Sequence, residues 1–186
     1  MTQMIGRRRV LGQALGLGAA ALAMGFGRPD KALADVAPRS ASLLNLHTGE
    51  RFTGVYFENG RYVADALAEG MRVLRDWRTG EEHVIEPELF DILHGVRTRL
   101  ETNRPFQVIS GYRSPRTNAA LHAKSSGVAS NSQHTLGKAV DVRLDGVELR
   151  HVRKAALDLC AGGVGYYPQS NFVHVDTGRV RQWAGA

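Results

Sequence analysis

Two short segments, residues 138–144 and 172–176, constrain the fold most, because each alternates apolar and polar residues with the two-residue period of a β-strand. In the first segment the branched apolar residues share one face, and Asp141 lies on the other. In the second segment two valines share one face, and His174 lies on the other. Each strand therefore buries one face and presents an ionisable side chain on the opposite face. A sheet that is covered by helices on one side meets both requirements.

The rest of the chain predicts four further strands and four helices. Strand-like segments are separated by glycine-containing turns, and helical segments carry apolar residues at spacings of three and four. The predicted strands are residues 41–47, 51–58, 106–110 and 164–167, and the predicted helices are residues 63–77, 87–100, 115–124 and 147–159. Together these patterns predict a single α+β domain, with an antiparallel sheet and helices packed on one side.

The first 34 residues have the organisation of an export signal. Three arginines at positions 7–9 precede an uncharged run rich in alanine, glycine and leucine, and a small-x-small cleavage pattern follows at residues 32–34. The arginines followed by x-Val-Leu resemble a twin-arginine signal, which carries folded proteins across the bacterial inner membrane. We therefore expect a twin-arginine signal peptide at residues 1–34 and a periplasmic domain at residues 35–186, without stable membrane insertion after cleavage. Retention as an uncleaved anchor stays open as the alternative.

The charge balance predicts that the mature domain has no nucleic-acid partner. The whole chain carries a net charge of +6, but five of its 24 basic residues and one of its 18 acidic residues lie in residues 1–34. The remaining 19 basic and 17 acidic residues leave a net charge of +2, too small an excess for a nucleic-acid-binding surface. The one cysteine, Cys160, excludes an internal disulfide and is expected to be a buried apolar residue.

His134, Asp141 and His174 form a candidate metal-binding set. Two imidazoles and one carboxylate, with a fourth position left for water, are the ligands of a catalytic zinc site. These residues have no cysteine near them in the sequence, which argues against a closed structural site. On spacing alone a second interpretation stays open, in which the histidines are ordinary surface residues and Asp141 lies on an exposed strand face.

The residues around His134 and Asp141 match a known pattern. The sequence Ser132-x-His134-x-x-Gly137-x-Ala139-x-Asp141 resembles the SxHxxGxAxD signature of the D-Ala-D-Ala metallopeptidases. These enzymes belong to the zinc superfamily that also includes lysostaphin and the hedgehog signalling domain. Every fixed position of the signature is present, and the later histidine of the family is present too. The resemblance implies a hedgehog-like or D-Ala-D-Ala-peptidase-like fold with one zinc ion per chain, bound by the three side chains named above.

Longer segments resemble the MepK (YcbK)-type murein endopeptidases of Gram-negative bacteria, over essentially the whole mature chain. These segments are residues 45–50, 109–114, 162–168 and 172–178, together with the twin-arginine start. The resemblance implies a periplasmic enzyme that acts on the peptide stems of peptidoglycan and hydrolyses diaminopimelate–diaminopimelate (3-3) cross-links. Cross-links between D-alanine and diaminopimelate stay open as a second substrate, and so does the existence of a regulatory lipoprotein partner.

Three residues outside the ligand set are expected to contact the substrate. Arg113 matches the arginine that family members use to bind substrate and to stabilise the negative charge that develops on the carbonyl oxygen. Ser132 is expected to hydrogen-bond the substrate or a metal ligand. Tyr166 and Tyr167 follow Gly165, whose lack of a side chain leaves the backbone approachable. One of them, taken here as Tyr166, is expected to face the substrate groove, with the alternative that both are ordinary strand aromatics.

The general base is the position at which the sequence departs from its relatives. Many D-Ala-D-Ala relatives carry a glutamate three residues before the last ligand, but here that residue is Asn171. The His-x-His arrangement of the lysostaphin type is also absent, because Phe172 occupies the corresponding position. Asp176 lies on the same strand face as His174 and is the candidate base, with the alternative that it orients a histidine ligand.

Two other functions stay open at this point. A D,D- or L,D-carboxypeptidase would use the same metal site to trim the end of a stem rather than to open a cross-link. A non-catalytic zinc-containing peptidoglycan-binding module would keep the metal site without hydrolysis, and the missing glutamate favours this second alternative.

Overall fold

The computed structural model describes residues 37–125 and 127–185. The predicted signal peptide, residues 1–34, lies outside the described residues. Within the described part, no helix combines the length and the apolar composition needed to cross a bilayer. The same residues form an eight-stranded sheet, four α-helices and a short 3-10 helix.

The strands form one mixed sheet. They are β1 (Arg39–Asn45), β2 (Arg51–Glu58), β3 (Arg61–Tyr62), β4 (Phe106–Ser110), β5 (Ala139–Leu144), β6 (Gly163–Tyr167), β7 (Phe172–Asp176) and β8 (Arg181–Ala184). Their order across the sheet is β3-β2-β1-β4-β5-β7-β6-β8. Neighbouring strands are antiparallel except for the pairs β1/β4 and β6/β8, which are parallel. The α+β class and the single domain are confirmed, and the two parallel pairs refine the predicted antiparallel sheet.

The helices begin where the sequence provides start signals. They are α1 (Ala64–Val73), α2 (Pro87–Arg99), α3 (Pro115–His122) and α4 (Leu149–Leu157), and the 3-10 helix is Gln133–Leu136. Proline occupies the first turn of α2 and α3, where a backbone N–H has no partner within the helix. Ser114 caps α3, since its Oγ accepts the backbone N–H of Thr117 at 3.2 Å.

The register of β5, β6 and β7 separates a core face from a polar face. Val140 pairs with Val175, and Val175 pairs with Val164, so these valines form one row of the buried core. Helices α2 and α4 pack on this side of the sheet. On the opposite face Asp141 pairs directly with His174. The alternation that the sequence predicts is therefore realised in the two strands that carry candidate ligands.

The differences from the sequence prediction have local causes. The sequence prediction lacks strands β3 and β8 and the 3-10 helix, because two to four residues are too few to show a period. Helix α1 ends at Val73 rather than near residue 77, and the carboxylate of Asp76 accepts the N–H of Arg78 in the turn that follows. Cys160 is exposed rather than buried, and it lies just after α4 with a left-handed φ of 50°.

Candidate active site

Three ionisable side chains from different elements meet on the polar face of the sheet. Asp141 and His174 are cross-strand neighbours on β5 and β7, and His134 comes from the 3-10 helix that precedes β5. His134 Nε2 lies 3.2 Å from Asp141 Oδ1 and 3.2 Å from His174 Nδ1, and His174 Nδ1 lies 2.9 Å from Asp141 Oδ1. All three residues are buried. The structure thus brings the three predicted ligands together, and their ligand atoms form a small triangle.

Hydrogen bonds on the far side of each imidazole decide which nitrogen carries a proton in the neutral ring. His134 Nδ1 donates to the carbonyl oxygen of Gly111 at 2.7 Å, which leaves a lone pair on Nε2. His174 Nε2 donates to Asp176 Oδ2 at 3.0 Å, which leaves a lone pair on Nδ1. Two nitrogen lone pairs and the carboxylate oxygen of Asp141 therefore converge, and this arrangement is repulsive unless a cation lies among them. The donor set fits a divalent metal ion.

The size of the triangle agrees with zinc. Ligand bonds of about 2.0–2.1 Å place the ligand atoms of a tetrahedral zinc ion about 3.3 Å apart. The three separations here are 2.9, 3.2 and 3.2 Å. Among the described residues the cluster contains no fourth protein ligand. Three protein ligands with a free position are the arrangement of catalytic rather than structural zinc sites.

The other fixed positions of the signature hold this geometry. Ser132 Oγ accepts the backbone N–H of His134 at 3.3 Å and caps the 3-10 helix. Gly137 ends that helix with a left-handed φ of 67°, and a Cβ there would overlap a carbonyl oxygen of a neighbouring loop. Ala139 is buried and pairs in register with Asp176. Ser132 also lines the cleft described below, where its predicted contact with the substrate stays a prediction.

Asp176 lies behind His174, away from the cleft. Besides the bond from His174, its carboxylate accepts two hydrogen bonds from the guanidinium of Arg181, at 2.9 and 2.7 Å. The backbone N–H groups of Gly163 and Gly178 also donate to it, at 3.2 and 2.8 Å. Asp176 is 0 % exposed, so no substrate reaches it. This geometry favours the alternative, in which Asp176 orients His174, over the role of general base, and the choice between the two roles stays a prediction.

The protonation states of the cluster follow from burial and contact. Burial alone would raise the pKa of Asp141, but the imidazoles of His134 and His174 hold it far below its usual range. Burial lowers the pKa of His134 and outweighs the attraction of Asp141. Burial also acts to lower the pKa of His174, but hydrogen bonds to Asp141 and Asp176 outweigh it and raise that pKa. A metal ion would compete with a proton at His174, so metal affinity is expected to fall as the pH falls.

A cleft of about 910 Å³ adjoins the cluster. One wall is aromatic: Tyr167 stacks on Phe172 with ring centres 4.5 Å apart, and Trp183 Nε1 donates to the hydroxyl of Tyr167 at 2.8 Å. The ring centre of Trp183 lies 5.2 Å from that of His174. Strand β8 thus supplies an aromatic side chain directly beside a candidate metal ligand.

The structure places Tyr166 on the helix-covered face of the sheet. It shares this face with Val164 and packs against the core, with the guanidinium carbon of Arg153 lying 5.0 Å from its ring centre. The next residue, Tyr167, lines the cleft instead. The predicted placement of Tyr166 in the groove is therefore wrong, because a shift of one residue along a strand moves a side chain to the other face. A substrate contact of Tyr167 is a prediction.

Comparison with known proteins identifies the family of this chain. The family model described as peptidoglycan L,D-endopeptidase MepK matches residues 33–183. The chain belongs to this family. Peptidoglycan L,D-endopeptidase MepK of Escherichia coli K12 is 49% identical over 146 residues, which cover 78% of this chain and 80% of the relative. Probable peptidoglycan L,D-endopeptidase MepK of Haemophilus influenzae is 43% identical over 175 residues, which cover 92% and 94%. The resemblance predicted from the sequence is confirmed, and the protein is a peptidase.

In this member of the MepK family, Arg113 lies beside the cluster. Its Nη2 is 3.5 Å from Asp141 Oδ2, and its backbone N–H donates to the carbonyl oxygen of His134 at 3.2 Å. Burial lowers the pKa of Arg113 and Asp141 raises it, while the positive charge of Arg78 lowers it further. The Nε of Arg113 is buried and has no partner among the described residues. Arg113 therefore has donor capacity available next to the cluster.

A buried carboxylate joins the two segments that carry Arg78 and Arg113. Asp76 Oδ2 accepts the backbone N–H of Ser114 at 3.0 Å and its hydroxyl at 2.8 Å. Asp76 Oδ1 accepts the backbone N–H of Arg78 at 3.0 Å. Asp76 therefore links the loop that carries Arg78 to the segment that follows Arg113.

Asp76→Asn is expected to lower the free energy of unfolding by about 2 kcal/mol at neutral pH, since hydrogen bonds to a charged acceptor contribute about 1.5–3 kcal/mol. Burial raises the pKa of Asp76, but hydrogen bonds from Thr117, Ser114 and Arg78 outweigh it and hold the pKa below its ordinary value of 3.8. Ionised Asp76 therefore contributes its full stabilisation above pH 3.8. This contribution is lost as the pH falls through the lower pKa that Asp76 has in the folded protein. Urea denaturation at several pH values should therefore show that the difference in unfolding free energy between the wild type and Asp76→Asn becomes smaller at acidic pH. A difference independent of pH, or an equal loss in the exposed control Asp158→Asn, would contradict this role.

Gly165→Ala is expected to displace Trp183 and to destabilise the fold by about 1–3 kcal/mol. A Cβ at Gly165 would lie 2.7 Å from the Trp183 ring, closer than packed carbon atoms approach. The displacement would also break the hydrogen bond from Trp183 to Tyr167. In a Trp77→Phe background Trp183 is the single remaining tryptophan, so its emission maximum should shift to the red. Gly127→Ala, whose Cβ would meet only a side-chain hydroxyl at 3.4 Å, should leave the emission unchanged.

Several residues of this cleft are missing from the sequence prediction. Arg78, Tyr167, Arg181 and Trp183 line it, yet none belongs to the signature. Tyr167 could have been found from the alternation of β6, which places it on the same face as Gly165. Arg181 and Trp183 depend on the parallel pairing of β8 with β6, for which the sequence contains no local signal.

Proposed function

We propose that this protein is a zinc-dependent murein endopeptidase that hydrolyses peptide cross-links of peptidoglycan, chiefly those of the 3-3 diaminopimelate type. The observation that carries the proposal is the convergence of two imidazole nitrogens and one carboxylate oxygen, 2.9–3.2 Å apart, beside an open cleft. Both relatives named above are called peptidoglycan L,D-endopeptidases, which supports the substrate. The predicted signal at residues 1–34 supports a periplasmic site of action.

The ligand residues would hold the metal in a fixed orientation. Bound zinc would activate a water molecule and polarise the scissile carbonyl. Asp141 would provide the negative charge, and His134 and His174 would provide neutral nitrogens. The carbonyl oxygen of Gly111 and the carboxylate of Asp176 keep the two rings in place through their far nitrogens.

The cleft residues would bind the peptide and the charge that develops on it. Arg113 would donate hydrogen bonds to the substrate carbonyl oxygen, since its guanidinium adjoins Asp141 and keeps an unpaired Nε. Tyr167 and Trp183 would contact the peptide from the aromatic wall. Among the described residues that line the cleft, Asp141 is the single carboxylate, so the glutamate base of other D-Ala-D-Ala metallopeptidases has no equivalent there.

Purified protein with defined muropeptides tests the proposal. Zinc-loaded protein should convert 3-3 cross-linked dimers to monomers, chelation should stop the reaction, and added zinc should restore it. A parallel reaction with dimers joined through D-alanine and diaminopimelate measures the preference between cross-link types.

Two outcomes would replace the proposal by one of its alternatives. Release of a terminal residue from monomers, with all dimers left intact, would identify a carboxypeptidase. Binding to isolated cell walls without hydrolysis of any muropeptide, even with one zinc ion per chain, would identify a binding module.

A further inference from the structure

The cleft contains more positive charge than its neighbouring acids balance. Arg78 and Arg113 both line it. A third lining arginine, Arg181, is already paired with Asp176. Asp141 is the one carboxylate among the described lining residues, and it belongs to the metal cluster. A concave surface with this balance attracts an anionic ligand.

Arg78 is positioned by its neighbours rather than loose on the surface. Its guanidinium carbon lies 4.2 Å from the ring centre of Trp77. The ring of His47 stacks on Trp77 with centres 4.0 Å apart, and His47 Nε2 lies 3.0 Å from the carbonyl oxygen of Ile109, which lines the cleft. The backbone N–H of Arg78 is held by buried Asp76. The side chain is therefore directed by a stacked platform at the cleft wall.

The guanidinium edge of Arg78 is free to bind a ligand. In residues 37–125 and 127–185 its contacts are the stack on Trp77 and the backbone bond to Asp76, with no ion pair. Three other arginines of the chain do pair with acids. Arg75 lies 2.6 Å from Glu50, Arg104 lies 3.2 Å from Asp145, and Arg150 lies 2.7 Å from Glu148. A stacked guanidinium that keeps its N–H groups unpaired is suited to bind a carboxylate through two parallel hydrogen bonds.

We propose that Arg78 binds a free carboxylate of the peptide stem, which makes the enzyme selective for substrates that carry this charge. The inference rests on the proposed murein endopeptidase function. In a 3-3 cross-link the carbon that bears the scissile nitrogen also carries a free carboxylate, and the glutamate of the stem carries another. Both groups present the same chemistry, and the experiment below separates them.

Three cross-linked dimers that differ only in amidation test the inference. One keeps every carboxylate free, one is amidated on the diaminopimelate carboxylate beside the scissile nitrogen, and one is amidated on the two glutamates. On the free dimer, Arg78→Gln should raise KM about 10- to 100-fold with kcat nearly unchanged, as expected for a lost charged hydrogen bond. Arg78→Lys should have a smaller effect, because lysine keeps the positive charge but lacks the two parallel N–H donors of the guanidinium. Arg150→Gln changes the net charge equally on the exposed helix α4 and should match the wild type.

Amidation of the carboxylate that Arg78 binds should raise KM for the wild type and cancel the effect of Arg78→Gln, and this identifies the group. The inference is overturned if Arg78→Gln changes KM by the same factor on all three dimers, or leaves it unchanged on the free dimer. Dissociation constants measured by calorimetry for the same three dimers, with the wild type and with Arg78→Gln, give the same comparison without depending on turnover. If the wild type binds with an Arg78-dependent preference but hydrolyses no dimer, the proposed function fails while this inference stands.

Discussion

His134→Ala is expected to reduce hydrolysis at least about 10³-fold, because loss of the metal removes several kcal/mol of transition-state stabilisation. His134 Nε2 is one corner of the ligand triangle, 3.2 Å from the ligand atoms of both Asp141 and His174. Without it two protein ligands remain, too few for a catalytic zinc site. Zinc content measured by mass spectrometry should fall from one ion per chain to near zero. Added zinc should raise the thermal midpoint of the wild type and leave that of the variant unchanged.

His151→Ala is the matched control for this prediction. His151 is an exposed histidine on helix α4, so its loss should change neither zinc content nor turnover. The metal-site interpretation fails if His134→Ala retains stoichiometric zinc, or if it loses activity while the thermal response to zinc stays at the wild-type value. Circular dichroism of both variants without metal separates loss of the site from loss of the fold.

Asp176→Asn is expected to weaken zinc binding about 10- to 100-fold, as is typical when the partner of a ligating histidine is altered. The amide keeps the shape of the carboxylate but loses the charge that faces both His174 Nε2 and the Arg181 guanidinium. Because the carboxylate is 0 % exposed, removing its charge should also cost about 3 kcal/mol of unfolding free energy. Competition with a zinc-binding dye measures the first effect, and urea denaturation measures the second.

The same variant distinguishes an orienting residue from a general base. If Asp176 only orients His174, saturating zinc should restore kcat to within a few-fold of the wild type. A general base would instead leave zinc affinity unchanged and lower kcat about 10²- to 10⁴-fold. Asp145→Asn removes a carboxylate from an exposed ion pair with Arg104 and should affect neither quantity.

The meeting of the three candidate ligands was predictable because its information is local. Alternation within β5 places Asp141 opposite the valines, and the spacing around Ser132 and Gly137 builds the short helix that presents His134. Each of these features depends on residues within about ten positions of one another. The strand and helix positions followed from similar short-range periods, which is why the α+β class was predicted correctly.

The roles of Asp176 and of the aromatic wall were not predictable in the same way. Asp176 shares the face of His174, as the alternation of β7 indicates, but its carboxylate is turned behind the imidazole by Arg181 and two backbone N–H groups. The alternation of side chains along a strand gives the face of the sheet, but it does not tell whether a side chain lies on the cleft side of His174 or on the far side. Tyr167 was missed by one position, and in a strand one position changes the face.

The sequence by itself determined which residues can bind a metal, which faces of the strands are buried, and the family to which the chain belongs. Only the tertiary structure decided which side chains surround the site, because strand β8 must pair with β6 before Arg181 reaches Asp176 and Trp183 covers Gly165. That pairing joins segments nearly twenty residues apart, and its stability comes from contacts that exist only after the sheet has formed. The same reason brings Arg78 and Arg113 to one cleft, since buried Asp76 connects two segments that are more than thirty residues apart in the sequence.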